Sequence, residues 1–200
     1  MKLEHQIIVD WVAEGSSVID LGCGDGELLS ILLDEKKVHA QGTEIDEQAI
    51  YKCVARGLSV YHEDIDAGLS GHPNGSFDYA ILSESLQQTK RPDYVLGEAL
   101  RVGRKLVVSF PNFGRYVVRL QILFSGKVPV TPALPFEWYD TPNLHFLSIS
   151  NFLDYCKMRG ILVEDSAYII NGRKAKFLPN FRAETAVFLL TKGKIERLLG

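Results

Sequence analysis

Cysteine is scarce in this chain: Cys23, Cys53 and Cys156 are the only three among 200 residues, and they stand far apart. With no paired spacing and an odd count, neither a zinc site nor a disulfide framework is expected, and the compartment expected is reducing and cytoplasmic. Long hydrophobic runs are missing too. None approaches the roughly 20 apolar residues that cross a bilayer, so no membrane role is expected. Lys2 and Glu4 interrupt the apolar core that a secretory leader would need at the start. Nor is there an excess of positive charge. The net charge is −3 with both signs interspersed, which leaves no electrostatic footprint for nucleic acid. No Gly-x-Ser-x-Gly occurs anywhere, so the chain does not house the nucleophile elbow of an acyl-transferring hydrolase fold.

What remains is an ordinary core-forming composition, of a length that suits one domain over residues 1–200. Leu3, Ile7, Ile8, Trp11 and Val12 recur at helical spacing and predict an opening amphipathic helix on the sheet edge. Strands and helices then alternate: strand 18–21 and helix 27–35, strand 38–42 and helix 47–56, strand 58–61, strand 77–82 and helix 92–101, strand 105–110. A helix at 151–158 and strands at 161–170 and 185–191 complete the pattern. The fold class expected is α/β, a doubly wound, Rossmann-like sheet that is mostly parallel.

The first strand ends in Val18-Ile-Asp-Leu-Gly-Cys-Gly-Asp-Gly-Glu-Leu-Leu29, three alternating glycines that open a helix. Gly22, Gly24 and Gly26 can turn the chain sharply and bring backbone N–H groups against a ligand at the helix N-terminus. Glu27 stands where a dinucleotide fingerprint would place its third glycine, and Asp20, Asp25 and Glu27 would repel a pyrophosphate. An NAD-dependent oxidoreductase is therefore disfavoured. The acidic turn suits S-adenosylmethionine (SAM), which carries a sulfonium and an ammonium against one carboxylate. About twenty residues beyond the glycines, Glu44 closes the second strand, where a carboxylate can accept ribose hydroxyls. Asp64 closes the third; there a carboxylate can accept from an adenine amino group while the Ile65 N–H donates to a ring nitrogen. The plainer readings are a tight turn, a solvated strand end and a loop acid.

Together these strand ends resemble the class I SAM-dependent methyltransferases. Five stretches sharpen the resemblance: Asp20 to Leu29, Arg101-Val-Gly-Arg104, Ser109-Phe-Pro-Asn-Phe-Gly114, Trp138-Tyr-Asp-Thr-Pro-Asn-Leu-His145 and Asn180-Phe-Arg-Ala-Glu-Thr-Ala-Val-Phe188. In these the chain resembles the MetW family of methionine-biosynthesis proteins over nearly its full length. The resemblance implies a class I methyltransferase fold of about seven strands, the last two an antiparallel pair at one edge. It implies a SAM or S-adenosylhomocysteine site at Asp20, Gly22, Cys23, Gly24, Glu44, Ile45, Asp64, Ile65 and Ser83. It also implies a role beside homoserine O-acyltransferase as partner. The alternative is an active small-molecule methyltransferase.

Ser83, Glu84 and Ser85 follow the central strand at its carboxyl end, where α/β ligands bind; the plainer reading is helix capping by Ser83 or Ser85. The Asn/Asp-Pro-Pro-aromatic motif of many amino-group methyltransferases and the Pro-Cys nucleophile of cytosine methyltransferases are both absent. His145 and Tyr139 are the candidates for a proton-handling group, with a structural turn as the plainer reading for the histidine. The insertion at 113–146 is too long for an ordinary connection. Phe113, Tyr116, Val117, Leu120, Leu123 and Phe124 share a helical face expected to pack on the sheet, while Arg115, Arg119 and Gln121 project elsewhere. Four prolines follow among Phe136, Trp138 and Tyr139. The segment can otherwise serve as a lid or as a docking surface, since exposed aromatics and arginines anchor interfaces.

Overall fold

The computed structural model describes residues 1–193. Helix α1 (Leu3–Trp11) leads to β1 (Ser17–Leu21), α2 (Glu27–Lys36), β2 (His39–Glu44), α3 (Glu47–Ala55) and β3 (Val60–His62). Next come β4 (Phe77–Ser83), α4 (Pro92–Val102), β5 (Gly103–Pro111), α5 (Tyr116–Ser125) and α6 (Ile149–Arg159). The chain then runs through β6 (Ile161–Ile170), β7 (Arg173–Lys174), α7 (Pro179–Arg182) and β8 (Thr185–Lys192). The strands form one sheet in the order β3-β2-β1-β4-β5-β8-β6-β7. The first five are parallel, and β8 runs antiparallel between β5 and β6. The chain winds leftward from β1 to β3 and then rightward from β4, so the order reverses between β1 and β4, where open α/β sheets bind ligands.

Two details extend the expected topology. An eighth strand of two residues pairs with β6 across Asn171-Gly172, both at positive φ (49° and 69°), a two-residue hairpin of the kind Asn-Gly favours. And α1 packs over the sheet face against α2 and β8 rather than on an edge. Ile7, Ile8, Val9 and Val12 are all buried, a stripe too wide for one neighbour to cover.

The opposite face is filled by Leu82, Leu96, Phe110, Phe152 and Phe188. The Phe110, Phe152 and Phe188 rings touch pairwise with centroids 4.9–5.8 Å apart, in tilted and stacked arrangements that add to area burial. A smaller cluster of Cys23, Leu29, Cys53 and Leu58 lies under the glycine loop and α3. All three cysteines are free and buried.

The insertion departs from expectation. In α5 only Val118 is buried, while Leu123 is 71% and Phe124 81% exposed, so the helix does not lay its apolar face on the sheet. The cause is the turn before it. Asn112 accepts from the Gly114 and Ile149 N–H groups and donates to the carbonyls of Asn180 and Ala183, tying the end of β5 to α6 and α7. That junction turns Arg115 and Val118 inward, three residues apart on one helix face. Arg115 is buried, its guanidinium 2.9 Å from Glu184, and so is a structural ion pair rather than a projecting anchor.

Candidate functional site

At the reversal of strand order, the carboxyl ends of the parallel strands enclose a cleft of about 420 Å³, within the range of small-molecule sites. Its walls include Gly22, Gly24, Glu44, Ile45, Asp64, Ile65 and Ser83, which the sequence had placed on four separate segments. The three glycines do different work. Gly22 (φ 77°) passes so close to Ser85 that a Cβ would sit 3.0 Å from that residue's own Cβ. Gly24 (φ 56°) meets nothing within 4 Å, so any side chain there would enter open space at the cleft. Gly26 (φ 77°) does not line the cleft; a Cβ would come 2.2 Å from Leu58 Cδ1, so its role is to pack the loop on the cluster below.

Glu44 is the pivot of the loop. One carboxylate oxygen accepts from the Gly24 N–H at 2.8 Å, and the other from the N–H groups of Ile45 and Asp46 at 2.8 and 2.9 Å. A carboxylate offers about four lone-pair sites, so one is left for a ligand hydroxyl unless a loop hydrogen bond gives way. Asp64 caps the turn at Ile65–Ala67 by accepting from the Asp66 N–H at 2.9 Å. Ser83 and Ser85 cap nothing. Ser83 donates to Glu4 at 2.9 Å and Ser85 to the Leu21 carbonyl at 2.8 Å, so both fix the loop after β4 to its surroundings. Cys23 is buried beneath the loop, outside the cleft wall, and burial pushes its thiol well above the ordinary range.

Asp20 lies behind the wall, 1% exposed, and its Oδ1 has no hydrogen-bond partner among the described residues. Burial first, and then the charges of Glu44 and Glu4, push its carboxyl up to about 7. The folded chain therefore binds a proton that the unfolded chain releases near the ordinary carboxylate value. Stability is expected to fall as pH rises from about 4 to about 7. Asp20→Asn is expected to raise stability at about pH 8 by on the order of 3 kcal/mol, with the gain fading toward about pH 4. Melting temperatures of variant and parent across that range check it; a pH-independent difference would mean that Asp20 ionises in the folded chain near its ordinary carboxylate value.

Three of the wall residues lie in parts of the sequence that carry no motif. Asp66 accepts from the N–H groups of Lys90 and Arg91, each at 2.9 Å, and clamps two loops together. Glu63 and Gln88 also stand on the rim. The run Glu63-Asp-Ile-Asp66 was the available signal for the first pair; nothing marked Gln88. The candidates for proton handling are not brought in. Tyr139 is 70% exposed with its ring against Trp138, and His145 is exposed with its N–H on the Gln87 carbonyl at 3.1 Å. Among the described residues no cluster of metal-ligating side chains occurs, and no helix is long and apolar enough to cross a membrane. The cleft wall holds five carboxylates, Glu44, Glu63, Asp64, Asp66 and Glu84, against the single cation Lys90, a balance that favours a cationic ligand.

Residues 2–190 match the family described as methionine biosynthesis protein MetW. The chain belongs to the MetW family. A relative from Rhodopirellula baltica, the bifunctional methionine biosynthesis protein MetXA/MetW, is 30% identical over 200 residues. The match covers 94% of this MetW chain and 32% of the relative, so the chain spans about a third of the curated relative's length. Among solved structures, a SAM-dependent methyltransferase from Archaeoglobus fulgidus superposes with a TM-score of 0.72 at 14% identity, covering 95% of this chain and 92% of that one. A SAM-dependent methyltransferase from Thermotoga maritima, described as a possible histamine N-methyltransferase, gives 0.66 at 20% identity, with 94% and 87% covered. The MetW chain thus has a methyltransferase fold, with its cleft at the carboxyl ends of the parallel strands.

Proposed function

We propose that this MetW-family chain binds SAM in the glycine-loop cleft and acts in the cytoplasm as an auxiliary to homoserine O-acyltransferase, docked through the exposed face of residues 113–146. The observation that carries the partnership is the MetXA/MetW relative, in which a segment like this chain is one third of a longer bifunctional methionine-biosynthesis protein. The lack of a nucleophile elbow supports the division of labour, because the acyl chemistry must then lie in the partner. Support for SAM comes from the chemistry at the cleft: a buried acid with an unpartnered oxygen behind the wall, an acidic rim, and a glycine whose missing side chain leaves space.

In this reading Gly22 and Gly24 border the cofactor with backbone, Cys23 holds the loop from beneath, and Asp20 and Ser83 answer the cofactor's amino-acid end. Glu44 and Ile45 hold the ribose, and Asp64 and Ile65 hold the adenine. The group supplies, when bound, an electrophilic methyl on a sulfonium. As the downstream product of methionine, SAM suits an effector, provided that it binds the two activity states unequally. The second reading, a small-molecule methyltransferase with 113–146 as its lid, draws on one observation: a neighbouring cleft shares Glu84 and Gln88 with the first.

The deciding experiment titrates this protein into the same organism's homoserine O-acyltransferase at fixed substrate, without and then with SAM. Saturable activation is expected. Absence of both activation and association, together with turnover of SAM to S-adenosylhomocysteine on a metabolite, would put the methyltransferase reading first. Glu44→Ala is expected to weaken SAM binding by about tenfold or more, equivalent to about 1.4 kcal/mol. Calorimetric titration checks it, and an unchanged affinity removes Glu44 from the ribose role.

A further inference from the structure

A second cleft, of about 470 Å³, opens between the start of α1, the ends of β4 and β5 and the insertion. Its body is apolar and stiff: Pro111, Pro132, Pro135 and Pro142 line it with Phe136 and Ile169. Proline walls need little ordering to receive a ligand. One polar group stands out against them. Glu4 lines the cleft although it is only 5% exposed, and it has no ion-pair partner among the described residues. Its Oε1 accepts from the hydroxyls of Ser83 and Ser109, which fix the carboxyl in place and leave Oε2 without a hydrogen bond among the described residues.

The surrounding charges do not neutralise it. Glu84 lines the same cleft and adds negative charge, held by a backbone at φ 52° that a non-glycine residue rarely adopts. The cation of the cleft wall, Lys2, lies 3.8 Å from Glu84, and the remaining wall acid, Glu184, is paired with Arg115. Burial first, and then the Glu84 charge, push the Glu4 carboxyl up to about 7, against the pull of the two hydroxyls and Lys2. A buried carboxylate without a counter-ion is costly, and a ligand that brings one gains what the protein lacks.

We infer that this cleft binds a small amine with a compact apolar body, its ammonium paired with Glu4 and its body against the proline and Phe136 wall. The site does not depend on a cofactor in the glycine-loop cleft, so it stands or falls separately from the SAM assignment. The probes are 2-phenylethylammonium chloride and its neutral counterpart 2-phenylethanol, each titrated into the full chain and followed by calorimetry and backbone amide shifts. The amine is expected to bind about tenfold or more tightly than the alcohol. Its shifts are expected to centre on Glu4, Gln87, Asn143 and Gly172 rather than on Gly24 and Glu44.

Glu4→Gln keeps acceptors for both serines and is expected to bring the amine down to the alcohol's affinity. Equal affinities in the parent chain, a preference surviving in Glu4→Gln, or shifts centred on the glycine loop would each overturn the assignment. Should Glu4→Gln lose its fold, the parent-chain comparison of the two probes and the map of shifts decide alone.

Discussion

Gly24→Val is expected to abolish SAM binding, lowering affinity by about a hundredfold or more, in a protein that still folds. The expectation rests on a contrast between neighbouring glycines. At Gly24 a new Cβ meets no atom within 4 Å, so the substitution costs the folded chain only the strain of a side chain at φ 56°. That strain is on the order of 1–2 kcal/mol. The same empty space borders the cleft, and the branched side chain would occupy it. Gly26→Val is the control, because its Cβ would lie 2.2 Å from Leu58 Cδ1 and 3.0 Å from Cys53 Sγ. Its damage is to packing, with a large loss of melting temperature whether or not ligand is present. Calorimetry and thermal melts on both variants separate the two roles. Full-strength binding by Gly24→Val would mean that the loop never touches the cofactor.

The same contrast shows what a reading of residues can and cannot reach. The alternation of strands and helices is local, set by apolar periodicity and by glycine and proline punctuation. It was legible down to strand ends that moved by one or two residues. The cleft was legible where one segment sufficed: a glycine turn, a carboxylate at a strand end, an acid run before a turn. Gly26 belongs to the same motif as Gly24, yet it serves the packing, and only the approach of Leu58 from 32 positions away decides that. Arg115 read as a surface cation because helical spacing put it off the apolar face. Its burial follows from Asn112 and Glu184, which join β5 to a helix and strand near the far end of the chain. Glu4 gave no signal at all, since an acid in the first turn of a helix is ordinarily a dipole partner. Long-range placement, which periodicity does not encode, made it a buried group between two clefts.

The exposed face of α5 yields the second large effect. Leu123→Glu combined with Phe124→Glu is expected to lower affinity for homoserine O-acyltransferase by about a hundredfold or more, and to remove activation at concentrations that saturate the parent. Burying a Leu or Phe side chain at an interface is worth about 1.5–3 kcal/mol each, and two carboxylates forced into the same contact add a desolvation penalty. The monomer gives up little, because these side chains are 71% and 81% exposed and support nothing beneath them. Its melting temperature is therefore expected to hold or rise. Arg115→Glu would be a poor probe of the same surface, since it places a second carboxylate beside Glu184 in a buried pair and unfolds the junction it was meant to leave intact. SAM affinity is the second readout. If the double variant loses the acyltransferase but keeps SAM, the insertion is a docking element. If it keeps the acyltransferase and loses SAM, the insertion is a lid and the methyltransferase reading gains. Activation left at the parent level would move the contact off α5 altogether, to the remaining exposed apolar surface around Trp138 and Tyr139.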